Sequence, residues 1–143
     1  MNYSDWFETH GQKHQKIVAK LQQQGLSIDA IIDYFDFESM CQNEPDFCAL
    51  YATHKKCHDI ASLNCYLCAC PNFRFDDNAK EVKGIKHFSY CDINSADGAI
   101  FKDGNNHHQD CSKCAVPHHK SYVKKHFKYE WFEIMGACDK SPS

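Results

Sequence analysis

Apolar residues repeat with helical spacing at the two ends of the chain and lose any sustained period in between. Near the start, Ile17, Val18 and Leu21 follow the three-and-four spacing of one helix face, and Gly25 supplies the left-handed residue that ends such a helix. Ser27 is placed to cap a second helix, IDAIIDYFDFESM, with Leu26 before the cap and Ile31 at the fourth helical position as a hydrophobic staple. Pro45 closes this extension, because it donates no backbone hydrogen bond and biases Glu44 away from helix. At the far end Ser121 is the expected cap of a last helix, YVKKHFKYEWFEIM. Its Val123, Phe127, Trp131 and Ile134 share a core-facing stripe, Gly136 ends it, and SPS is read as a frayed tail.

These limits divide the chain into a helical extension over 1–45, a central segment over 46–119 and a C-terminal helix with its tail over 120–143. The centre offers little regular structure. KHFSYCDI and GAIF flank NSAD and predict a short β-hairpin, and KDGNN is a further turn. A loop-rich stretch of this length holds its shape only if ligand bonds fix it. The expected fold is therefore α+β and loop-rich: a small metal-stabilised core with a short hairpin, flanked by two N-terminal helices and one C-terminal helix.

Composition supplies the ligands. Of 143 residues ten are cysteine, and eight of these fall in the central segment: Cys48, Cys57, Cys65, Cys68, Cys70, Cys91, Cys111 and Cys114. The start of the chain, MNYSDWFETHGQKHQK, has no apolar run behind a basic beginning, which predicts a cytoplasmic protein. In that compartment thiols stay reduced, so metal ligation displaces disulfides as the expectation. The net charge is −3 and there is one arginine, Arg74, which disfavours nucleic-acid binding; no apolar run is long enough to predict a membrane span.

Two Cys-x2-Cys knuckles, Cys65 with Cys68 and Cys111 with Cys114, have the spacing that lets two sulfurs curl onto one metal. Cys70 stands two residues beyond Cys68, a separation that turns side chains apart on a strand or a helix, so it is expected to serve a second centre. Eight thiolates suit two four-coordinate centres. The expected division puts the two knuckles on one and leaves Cys48, Cys57, Cys70 and Cys91 for the other. His58, next to Cys57, and His118, four residues past Cys114, are candidate further ligands or hydrogen-bond donors to them. His107, His108 and His119 are weaker candidates, His10 and His14 read as a solvated helical face, and Cys41 and Cys138 as incidental thiols.

This series resembles the cysteine-rich small domain family, short zinc-finger-like proteins found largely in anaerobic or microaerophilic prokaryotes. The matching elements are Cys48, the pair Cys57 and His58, the run Asn64, Cys65, Cys68, Cys70 and Pro71, the lone Cys91, and Asp110, Cys111, Cys114, Pro117 and His118. The chain departs from the pattern at Asp92, where glycine follows the lone cysteine in the family. The resemblance implies metal binding and no particular reaction. The apolar dress of the first knuckle (Tyr66, Leu67, Ala69), the Cys-Pro ending and the anaerobic bias of the family favour two iron–sulfur (4Fe-4S) centres serving electron transfer or redox sensing. Zn2+ in a structural interaction module is the alternative. A protein partner, redox or adaptor, is expected, with Tyr129 and Trp131 as aromatic surface for it. No phosphate loop, nucleophile elbow or HExxH motif is present, which weighs against an enzyme.

Overall fold

The computed structural model describes residues 3–140, so the SPS tail lies outside the described residues. Helix α1 spans Tyr3–Gln23 and ends at Gly25, whose φ of 76° is the left-handed turn anticipated there. The Asp77 carboxylate accepts from the backbone N–H groups of Tyr3 and Ser4, so a strand residue caps the first turn of α1. Helix α2 (Ile28–Tyr34) starts where Ser27 caps it, the hydroxyl accepting from Ala30 N–H at 3.2 Å.

Both long helices expected from periodicity are broken. The run IDAIIDYFDFESM divides into α2 and α3 (Phe37–Asn43) because Asp36 adopts an extended conformation and bridges to Asn64. The freed backbone is used by the first knuckle: Phe37 N–H donates to the Leu63 carbonyl and Cys65 N–H to the Phe35 carbonyl. The C-terminal run likewise divides into α4 (Lys120–His126) and α5 (Trp131–Ile134), with Phe127 extended between them. The Tyr66 hydroxyl donates to the Lys128 carbonyl at that break, at 2.7 Å. His119, not Ser121, is the cap residue of α4.

The centre holds more regular structure than its sequence suggests. Strands β1 (Phe73–Val82), β2 (Ile85–Cys91), β3 (Ala99–Asp103) and β4 (Asn106–Asp110) form one sheet in the order β1-β2-β4-β3. The predicted hairpin between residues 86–93 and 98–101 does not form. Instead β2 pairs antiparallel with β1, β3 pairs antiparallel with β4, and β2 runs parallel to β4. Lys83 and Gly84, both at positive φ, make the two-residue turn whose twist suits an antiparallel hairpin. The β1–β2 register sets Cys91 opposite Phe73, so the lone cysteine returns to the exit of the first knuckle.

The core draws on all three parts of the chain: Leu21, Ile32, Tyr66, Phe75, Trp131 and Met135 are buried in one cluster. Trp131 is fully buried, so it offers no surface to a partner; Tyr129 remains exposed. His10 and His14 are buried too, on the same face of α1 as Ile17 and Leu21, rather than solvated. Each is stacked among aromatic rings, His10 against Trp6 and Phe47, His14 against Phe35 and Tyr66.

Burial without a counter-charge pushes His10 down to about 4 and His14 to about 3 from the ordinary 6.5. Between pH 6.5 and 4 the unfolded chain therefore binds protons that the folded one refuses, and stability rises with pH across that window. The expected result is a plateau above pH 6.5 and a loss of several kcal/mol on acidification to pH 4, read from urea titrations at fixed temperature. His14→Leu should flatten the slope; an unchanged slope in that variant would contradict the assignment.

Candidate metal centre

The chain has ten cysteines and a Cys/His cluster able to hold a metal, formed by Cys57, His58 and His118. Among the described residues, this is the trio whose ligand atoms all lie within 4.8 Å of one another. His58 is delivered by the loop after a short 3-10 helix at Ala49–Thr53, and His118 ends another at Val116–His118. Backbone carbonyls fix both rings. His58 Nε2 stands 2.8 Å from the Cys111 carbonyl and His118 Nδ1 2.9 Å from the Asn64 carbonyl. A carbonyl only accepts, so those nitrogens carry the protons, and the lone pairs lie on His58 Nδ1 and His118 Nε2. These two atoms face Cys57 Sγ at 3.0 and 3.6 Å. A metal-ligating histidine with its other N–H held by a carbonyl has this same arrangement. Burial lowers His118 to about 4, keeping it neutral and able to ligate at pH 7.

Neighbouring thiols push one another's protonation upward: Cys48, Cys57 and Cys65 act on Cys68, and Cys41, Cys48 and Cys57 act on Cys65. Separately, Cys91 and Cys114 act on Cys70, and Cys70, Cys91 and Cys114 act on Cys111. Six of the candidate thiols, Cys57, Cys68, Cys70, Cys91, Cys111 and Cys114, line one cavity together with His58 and His118.

The link from Cys68 to Cys70 is an unusual turn. Ala69 and Cys70 both have positive φ, 89° and 58°, a region that costs an L-residue of this kind about 1–2 kcal/mol each. The turn is held by Cys70 N–H donating to the Leu67 carbonyl and by Phe73 N–H donating to the Cys70 carbonyl.

Asn64 anchors the first knuckle from below. Its side-chain amide donates to the Ile32 carbonyl at 2.7 Å and to Asp36 Oδ1 at 2.8 Å, while its oxygen accepts from Tyr66 N–H at 3.0 Å. Further supports were not read from sequence as part of the site. Arg74 donates to the Pro71 and Phe73 carbonyls and pairs with Asp92 at 3.3 Å, clamping the exit from Cys70. Ser95 Oγ stands 3.2 Å from Cys114 Sγ. His14 Nε2 donates to the Tyr66 carbonyl at 3.0 Å, and its three-residue spacing from Ile17 was the signal for its burial. His107 and His108 lie on β4 and are not members of the trio.

Desolvation raises Cys65 and Cys111 to about 12 and pushes Cys57, Cys68 and Cys70 upward as well. Without metal these five thiols therefore hold their protons at neutral pH, and loading a cation onto them releases the protons. Comparison with family models, with curated proteins and with solved structures returns no match for this chain. Among the described residues no helix is long and apolar enough to cross a membrane.

Proposed function

We propose that the chain is a metal protein with two cysteine-ligated centres, one on Cys48, Cys57, Cys65 and Cys68 and one on Cys70, Cys91, Cys111 and Cys114. Each is proposed to hold an iron–sulfur cluster, and the pair to serve electron transfer or redox sensing with a protein partner. The observation that carries this reading is the gathering of Cys57, Cys68, Cys70, Cys91, Cys111 and Cys114, with His58 and His118, around one cavity next to the Ala69–Cys70 turn.

Cluster chemistry fits the donor set in two respects. A single tetrahedral zinc ion with bonds of about 2.3 Å needs sulfurs about 3.8 Å apart, whereas a cluster of several irons spans a wider set of thiolates. Among the described residues, the donor atoms drawn as close as a single ion requires are those of the Cys57 trio. The second respect is environment: Tyr66 and Leu67 of the first knuckle are fully buried, and a dry shell with N–H groups near sulfur is what tunes a cluster potential. The reading also takes the chain as a member of the cysteine-rich small domain family, on its residue series.

A second reading, structural zinc, is favoured by the trio itself, since Cys57, His58 and His118 have the mixed sulfur and nitrogen chemistry of a zinc site. Metal and acid-labile sulfide analysis of protein purified without oxygen separates the two. The expected result is a brown protein, bleached by dithionite, with iron and sulfide in equal amounts. A colourless protein carrying zinc and no sulfide would replace the cluster reading with the zinc one.

A further inference from the structure

The thiols themselves line part of a cavity of about 780 Å³, within the roughly 300–1,000 Å³ range of small-molecule sites. Metal ligands account for only part of its wall. Tyr3 and Trp6 of α1, Phe73 of β1, Phe88 of β2 and Ile93 of the following loop contribute to the rest. We propose that this chamber binds a flat aromatic molecule bearing a hydroxyl or carbonyl at its edge. The inference goes beyond the metal reading and stands without it.

The shape of the wall argues for a flat ring. Phe88 and His108 lie nearly parallel, 10° between their planes and 4.9 Å between centroids, so neighbouring strands present a ready-made aromatic shelf. Trp6 is 41% exposed and stacked on His10 at 14°, which leaves an indole face uncovered by the core. Such faces gain more from an offset-stacked or edge-on ring than from a saturated hydrocarbon of equal area.

The polar points argue for the edge group. The Tyr3 hydroxyl stands 2.8 Å from His108 Nδ1, and also 3.3 Å from Ser89 Oγ. The Tyr3 hydroxyl and the His108 ring thus share one hydrogen bond on the wall of the chamber, where Gln109 adds a polar side chain. A largely apolar wall with a few polar groups fits an aromatic hydroxyl or carbonyl, whose oxygen lies in the plane of the ring.

The test is calorimetric titration of the full chain, purified without oxygen, with 2-naphthol, naphthalene and the saturated analogue 2-decalol. Metal and sulfide are measured in the same sample. Expected are one naphthol site per chain, affinity at least tenfold above that for decalol, and about a tenfold weakening in Trp6→Ala and Phe88→Ala with metal content unchanged. His108→Phe should weaken naphthol while leaving naphthalene as it was. Absence of saturable binding, equal affinity for decalol, or unchanged affinity in Trp6→Ala would overturn the proposal; Trp6 is exposed enough that its loss leaves the fold in place. Protein that lacks metal yet binds naphthol would overturn the metal reading and leave this one standing.

Discussion

A chain carrying Cys70→Ser together with Cys111→Ser is expected to keep half its metal, while one carrying Cys68→Ser together with Cys111→Ser loses nearly all of it. Under the proposed division the first pair removes two ligands from one centre; the second removes one from each. Had the two knuckles shared a centre, the outcomes would be reversed, because Cys68 and Cys111 would then be partners. Metal per chain measured by elemental analysis on the two double variants decides between these divisions. The effect on stability is expected to be as large as that on content. In peptides a structural zinc is worth roughly 10–16 kcal/mol of apparent binding energy, against about 5–15 kcal/mol for a whole domain. Loss of both centres should thus leave the central segment unable to hold its fold, seen as loss of cooperative unfolding in urea.

Tyr66→Ala is expected to cost about 3–5 kcal/mol, the range for deleting a large buried aromatic side chain. Tyr66 is fully buried between His14, Phe35 and Phe127, and its hydroxyl closes the break between α4 and α5. It stands between the ligands Cys65 and Cys68 in the first knuckle, so its removal loosens a candidate centre and the core together. Tyr66→Phe keeps the ring and gives up one hydrogen bond, with an expected cost of about 1 kcal/mol. Urea titrations at pH 7 on both variants read these values. A Tyr66→Ala chain as stable as the parent would show that the knuckle is not seated on the core as described.

The two helix breaks explain where periodicity misled. Spacing of apolar residues reported correctly that Val123 and Trp131 face inward, because burial of a face is what periodicity encodes. It could not report that α2 and α4 stop early, because the carbonyls and N–H groups released at Phe35, Phe37 and Lys128 find partners in residues 63–66, far along the chain. A continuous helix was the better local solution; the knuckle made the interrupted one better globally. The strands were hidden for a related reason. Strands β3 and β4 have no fully buried residues and lack the alternation that marks a half-buried sheet. The buried histidines His10 and His14 were legible in their spacing with Ile17, Val18 and Leu21, but a polar residue type outweighed its position.

By itself the sequence determined the inventory of candidate ligands, because cysteine and histidine chemistry and Cys-x2-Cys spacing are local properties. Only the tertiary structure decided that Cys57, His58 and His118 stand together and that Cys91 returns to the first knuckle. That depends on a sheet register that returns Cys91 to Phe73, on a left-handed turn at Ala69 and Cys70, and on carbonyls of Asn64 and Cys111 that aim two histidines at Cys57. Each of these joins residues distant in the chain, and the energy that selects among alternative pairings resides in contacts that exist only once the chain has folded.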